Sequence, residues 1–314
     1  MQVVAFGPVP SRRLGRSLGI NHIPPKVCTY SCVYCQIGRT ARLRAKRQTF
    51  YEPAALEAAV RDQIAAARKS GEPIHFLAFV PDGEPTLDVN LGRSIRALRI
   101  FGIPIAVITN GSLLDDPEVR ADLAEADWVS VKVDTVREDC WRRIARPHGS
   151  LVLDSILQGA RQFAGTFTGD LQTETMLLDK VNDGEEELRA TARFLEELRP
   201  GTAYLAVPTR PPAEAWARAP EEGTLARAYE IFHDRLPRVE LLSGYEGDAF
   251  ASTGDAKRDL LGITAVHPMR ESAVLSTLAK SGAEWEVVLE LLQAGELVEV
   301  THDSHRYYLR PVSR

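Results

Sequence analysis

The sequence predicts an α/β protein built on parallel strands with right-handed crossovers, followed by a smaller helical unit that ends in a hairpin. Three observations carry this. Apolar stretches of strand length alternate with amphipathic helical stretches about six times between residues 17 and 242. Polar motifs follow or end the strands, where the loops of a parallel sheet converge and ligands sit. From about Ala251 the alternation gives way to three short helical stretches and two strands around Asp303-Ser304. At 314 residues, 44% hydrophobic and 26% charged, the chain can bury a sizeable core as one domain or as a large and a small one. The boundary is expected between 1–248 and 251–314.

In order, Gly7-Pro8-Val9-Pro10-Ser11 reads as an irregular lead-in and 17–23 as a first strand, ended by Pro24-Pro25. Residues 53–70 form a helix, with Pro53 in its first turn, an alanine-rich interior and Gly71 beyond its end. Strands are expected at 74–80, 104–109, 128–134, 171–178, 203–207 and 239–242. Helices are expected at 88–100, 117–124, 137–146, 151–163, 185–198 and 221–236. Beyond them, 254–261, 269–280 and 284–294 read as helices, and 297–301 and 305–309 as strands.

The chemistry centres on Cys28-Thr29-Tyr30-Ser31-Cys32-Val33-Tyr34-Cys35, which holds every cysteine except Cys140. A loop with this spacing can fold back and point three soft thiolates at one centre, as iron-sulfur clusters or zinc require. Three thiolates leave a four-site centre one ligand short, and an open position is where substrate binds. The alternatives are a structural zinc site completed by His22 or Cys140, or three buried thiols. Cys140 itself lies on a charged helical stretch and reads as a small buried hydrophobe. His148 and Trp216 read as loop and packing residues.

The C-x3-C-x2-C motif, with Tyr34 before its last cysteine, resembles the signature of the radical S-adenosylmethionine (radical SAM) superfamily. The resemblance implies a partial (β/α)6 barrel over roughly residues 6–245, with Cys28, Cys32 and Cys35 holding a [4Fe-4S] cluster whose fourth iron is chelated by S-adenosylmethionine. Reductive cleavage would then yield a 5'-deoxyadenosyl radical that abstracts hydrogen from a substrate, an oxidoreductase activity. An external electron donor such as flavodoxin or ferredoxin is implied as a partner. The segment Asp82-Gly83-Glu84-Pro85, directly after a strand, is similar to the family's Gly-Gly-Glu-Pro segment, with Asp82 in place of the first glycine. It implies that Gly83, Glu84 and Pro85 bind the cofactor.

Thr109-Asn110-Gly111 closes the third strand, and Ser130, Lys132 and Asp134 share one face of the fourth by the two-residue period. By resemblance such polar strand ends contact S-adenosylmethionine, so Tyr34, Asn110, Ser130, Lys132, Asp134 and Glu174 join the expected cofactor site. In the fifth strand Gln172 and Glu174 compete with the facing Thr173 and Thr175, and the inward face is open. Gly7-Pro8-Val9-Pro10-Ser11-Arg12-Arg13-Leu14-Gly15 and Gly38-Arg39-Thr40 look most like a little-understood group related to the tRNA wyosine-forming enzymes. Those carry a second cluster on further N-terminal cysteines, which this chain lacks.

The net charge of −5 hides a basic run. From 11 to 50, Arg12, Arg13, Arg16, Lys26, Arg39, Arg42, Arg44, Lys46 and Arg47 meet no acid, and Glu52 is the first carboxylate. Such a field attracts anionic partners, among them RNA. The three C-terminal helices and hairpin resemble a winged helix. Its third helix carries Glu284, Glu286 and Glu290 and no Lys or Arg, which argues against DNA binding and for contact with the barrel, a protein or a peptide. RNA and peptide therefore stand as substrate candidates. No signal segment or apolar run of membrane-spanning length is present, so a cytoplasmic protein without a membrane partner is expected. The alternative function is a non-catalytic iron-sulfur module that senses redox state and passes it to a partner.

Overall fold

The computed structural model describes residues 4–40, 42–244, 250 and 252–311. Strand β1 (Ala5–Ser11) turns back antiparallel into β2 (Gly15–Ile20), with a register shift between Phe6 and Val9. The expected irregular lead-in at 7–11 is therefore a strand. As an edge strand of the sheet it needs donors on one side only, which is why Pro8 and Pro10 fit there. Two short parallel strands, β3 (Val27–Cys28) and β4 (Arg42–Leu43), then close the base of the cysteine loop.

Helix α1 (Pro53–Lys69) begins on Pro53 and ends in Arg68 and Lys69, whose charges suit the carboxyl end of a helix. The alternation continues through β5 (Phe76–Phe79), α2 (Leu91–Leu98), β6 (Ile105–Thr109), α3 (Pro117–Leu123), β7 (Trp128–Lys132), α4 (Glu138–Ala145) and α5 (Leu153–Thr166). It closes with β8 (Asp170–Met176), α6 (Glu185–Leu198), β9 (Thr202–Ala206), α7 (Glu222–His233) and β10 (Val239–Leu242). The strands pair in the order β1-β2-β5-β6-β7-β8-β9-β10, and every pair after the first is parallel. Six strand–helix repeats thus run from β2 to α7, and β10 adds a seventh parallel strand.

The two faces of this sheet differ in kind. Leu18, Ile20, Leu77, Phe79, Ile105, Val107, Val129, Val131 and Leu205 point outward into the main core, against the helices. Each such side chain, fully buried, contributes roughly 1.5–3 kcal/mol. The alternate residues Ala78, Ala106, Trp128, Tyr204, Ala206 and Leu242 form a separate inner cluster, and the three alanines among them leave space on the inner face of the sheet.

The C-terminal part comprises α8 (Ala256–Val266), β11 (Met269–Arg270), α9 (Glu271–Ser281), α10 (Glu286–Gln293), β12 (Val298–His302) and β13 (His305–Leu309), with the strands in the order β11-β13-β12. The helix expected from 269 starts two residues later because Met269 and Arg270 pair with Tyr308 and Tyr307. The core of this part takes Phe6 and Val9 from β1 together with Phe250, Leu260, Met269 and Tyr308. The expected boundary at 248–251 lies, except for Phe250, outside the described residues, as does Tyr245. Among the described residues no helix is long and apolar enough to cross a membrane.

Candidate functional site

The cysteine loop leaves β2 through Asn21 and His22 and is held from below by the turn after β5. Lys26 N donates to Asp82 O at 3.1 Å and Glu84 N to Val27 O at 3.1 Å. A side chain at Gly83 could not fit, because its Cβ would stand 2.1 Å from Val27 O. From above, Val33 N and Ser31 N donate to Ile144 O and Ala145 O, each at 2.9 Å. These are last-turn carbonyls of α4, which have no partner within the helix. The loop is thus fixed by backbone bonds at both ends, and its three thiols need not carry the structure.

Glu84 links the turn to the third parallel strand. One carboxylate oxygen accepts from Thr86 N at 3.0 Å, Thr86 Oγ1 at 2.7 Å and Thr109 Oγ1 at 2.6 Å, and the other from Asn110 N at 2.9 Å. Burial pushes its carboxyl up from the usual range, opposed by these donors. Pro85 is buried and its carbonyl meets the His22 ring at 3.3 Å. The Asn110 amide continues the chain of contacts, donating to Thr29 Oγ1 at 2.7 Å and toward Cys28 Sγ at 3.6 Å.

On the inner face, Lys132 of β7 pairs with Glu174 of β8 at 2.7 Å, and Arg13 reaches in from the β1–β2 turn to the other oxygen of Glu174. Burial alone would raise the Glu174 carboxyl, but Lys132 and Arg13 outweigh it and hold it at about 2. The Lys132 ammonium also lies 4.6 Å from the centre of the Tyr34 ring, and the Tyr34 hydroxyl donates to Asp134. Asp134 in turn accepts from Met176 N at 2.9 Å. Leu171 belongs to the outer core and Met176 packs on the inner cluster, which fixes Gln172 and Glu174 inward and Thr173 and Thr175 outward. Ser130 shares the inward phase with Lys132 but is fully buried beneath it and does not line the cavity.

Cys28, Cys32 and Cys35 open onto one cavity of about 340 Å³, whose walls also include Tyr34, Gly83, Glu84, Asn110, Lys132 and Glu174. Burial, followed by the charge of Glu84, pushes the Cys28 thiol up to about 12; burial and the neighbouring cysteines raise that of Cys32. Such thiols become thiolates only beside a strong cationic centre, and they form a soft donor set of iron-sulfur type. Among the described residues no three His, Cys, Asp or Glu side chains converge at single-ion distance. A four-iron cluster takes each thiolate at a different corner and does not ask for that convergence. Neither expected completer of a zinc site faces the cavity: His22 is buried, with burial lowering its pKa to about 4, and Cys140 donates to Val181 O at 3.6 Å.

Sequence reasoning missed several residues at this site. Arg13 pairs with a residue 161 positions away, a distance that no spacing rule reaches. Lys26, held at a φ of 58°, donates to Cys35 Sγ at 3.3 Å and Gly38 O at 2.6 Å. Its signals in the sequence are its membership of the basic run around the cysteines and its place directly after Pro24-Pro25. Gln36, Arg210 and His267 form the far rim: Arg210 donates to Gln36 Oε1 at 2.9 Å and meets the His267 ring at 2.7 Å, while Gln36 Nε2 donates to Val266 O at 2.8 Å. The C-terminal part therefore walls one side of the cavity. His148 is half-buried beside Ser150, and Trp216, 40% exposed against Arg143, lies with it away from the cavity.

The sequence matches the family model described as the radical SAM superfamily over residues 23–195. A UPF0026 protein of Methanocaldococcus jannaschii is 43% identical over 311 residues, 98% of this chain and 96% of that protein. Among solved structures, a radical SAM methyltransferase from Sphaerobacter thermophilus superposes with a TM-score of 0.55 at 18% identity, covering 72% of this chain and 66% of that one. A structure of TYW1 with a lysine-pyruvate adduct bound gives 0.56 at 15% identity, over 70% and 74% of the two chains. At such identities the likeness is one of fold.

Proposed function

The chain belongs to the radical SAM superfamily and within it to the UPF0026 proteins, and on that footing we propose that Cys28, Cys32 and Cys35 hold its cluster while the inner face of the sheet holds S-adenosylmethionine. It is an enzyme of this class, and its cofactors are a [4Fe-4S] cluster and S-adenosylmethionine. When bound, these supply the one-electron cleavage of a sulfonium carbon–sulfur bond that precedes hydrogen abstraction. The observation that carries the assignment is that three thiols of one loop and the Lys132–Glu174–Arg13 network face the same cavity.

The protein's own residues have separable tasks in this reading. Gly83 keeps the turn close under the cysteine loop, and Glu84 and Pro85 brace it against the third parallel strand. Asn110 fixes Thr29 beside Cys28. Tyr34, Lys132 and Glu174 present fixed charges and hydrogen-bond groups to a charged ligand without reorganising, Asp134, which does not line the cavity, holds the Tyr34 hydroxyl in place, and the outer core behind them excludes water. Ser130 supports this wall from below.

The same reading takes 1–248 as a partial (β/α)6 barrel and 251–314 as a winged-helix-like domain that seats on the barrel rim. The activity is that of a cytoplasmic oxidoreductase. Of the two substrate candidates, a peptide is favoured over an RNA base because Arg13, Arg16, Arg39 and Arg47 of the basic run are engaged by Glu174, Glu72, Glu214 and Asp122, and its exposed members Arg42, Arg44 and Lys46 do not line the cavity. The test is anaerobic reconstitution followed by dithionite reduction and chromatography. The wild type is expected to release 5'-deoxyadenosine and Cys32→Ala to fall to background with loss of the cluster's visible absorption. Indistinguishable product from the two proteins overturns the assignment.

A further inference from the structure

The basic run that precedes Glu52 is not a uniform patch once folded. Arg13, Arg16, Arg39 and Arg47 are engaged by carboxylates, and Lys26 is turned inward to Cys35 and Gly38. Arg42, Arg44 and Lys46 remain exposed and make no ion pair among the described residues. Leu43 between them is 39% exposed. This cationic strip with an apolar centre is the outer neighbour of a proposed cluster ligand: Leu43 is the register partner of Cys28, and Arg44 N donates to Cys28 O at 2.9 Å.

The strip does not line the cavity onto which the three thiols open. A substrate, nucleic acid included, has to reach that cavity, whereas an electron has only to come near the cluster. The reaction consumes an electron from outside, and a positive surface speeds encounter with an acidic protein. We propose that Arg42, Leu43, Arg44 and Lys46 form the docking surface for an acidic, low-potential electron-carrier protein; this rests on the reading of Cys28 as a cluster ligand. In the step served, one electron leaves the reduced carrier and reduces the cluster by one, with no atom or proton transferred.

The experiment uses flavodoxin as the probe, with the full chain carrying Arg42→Glu, Arg44→Glu and Lys46→Glu together, and a milder Arg42→Gln, Arg44→Gln, Lys46→Gln set. Binding of oxidised flavodoxin is measured by calorimetry on the cluster-free protein, and bleaching of the reconstituted cluster is followed in stopped flow. Charge reversal is expected to weaken binding and slow flavodoxin-driven bleaching at least tenfold at low salt, with the neutral set in between. Dithionite-driven 5'-deoxyadenosine formation should stay within twofold of wild type, which also shows that the variants are folded. Unchanged flavodoxin binding and bleaching overturns the proposal, as does a loss confined to binding of a tRNA transcript. Absence of dithionite-driven product from the wild type instead removes the enzymatic reading, and is told apart because flavodoxin binding is read without the cluster.

Discussion

Adjacent residues of β7 and β8 live in opposite worlds. Val129, Val131 and Leu171 face the helices in an apolar layer, while Lys132 and Glu174, each one residue away from that phase, meet Arg13 inside the curve of the sheet. One face is filled by shape and the other by charge. The contrast shows how a parallel sheet can separate folding from chemistry within five residues of a strand, since the two-residue period keeps each set from disturbing the other.

The sharpest way to break this division is Glu174→Gln, which leaves the half-buried Lys132 and Arg13 without their common counter-charge. Removing one partner of a fully buried pair typically costs about 3–5 kcal/mol; because both cations reach the cavity, a drop of about 2 kcal/mol in denaturant unfolding is expected together with at least a tenfold loss of 5'-deoxyadenosine formation. The carboxyl is held at about 2 against an ordinary 4.5. Its contribution is therefore whole above about 4.5 and is lost as the pH falls through 2. The gap between wild type and variant should narrow on acidification below pH 4.5.

On the other face, Leu77→Ala should cost about 3 kcal/mol by loss of a fully buried side chain, yet leave product per folded molecule unchanged. Equal losses of activity from Leu77→Ala and Glu174→Gln would erase the distinction between the faces. The smallest expected effect is a gain. Thr173 is fully buried on the outer face and its hydroxyl has no hydrogen-bond partner among the described residues, so Thr173→Val should stabilise by about 1 kcal/mol without altering product formation.

Much of this was legible from the order of residues. Local periodicity marks β7 and β8, and Pro53 and Gly71 bracket α1, because strand and helix periods and cap chemistry act within a few residues. The reading of 7–11 failed for the same reason: Pro8 and Pro10 argue locally against a strand, and only the edge position in the sheet makes them acceptable. Met269 and Arg270 fit a helix until Tyr307 and Tyr308 arrive to pair with them. At the site, the cysteines and the Gly83-Glu84-Pro85 turn announce themselves by composition. Arg13, Gln36, Arg210 and His267 do not, because their meaning lies in partners that only the folded chain brings together. The inward phase of Gln172 and Glu174 likewise needed a neighbouring layer to decide it.

Phe6 packs with the C-terminal core while its ring occupies the place where a Cβ on Gly19 would stand, 2.1 Å from Cζ. The first strand is thereby shared property, its far side belonging to residues some 250 positions downstream. The two parts of this polypeptide are not interchangeable cassettes: a gene shortened before Phe250 would yield a parallel sheet with a bare oily seam along its opening strand.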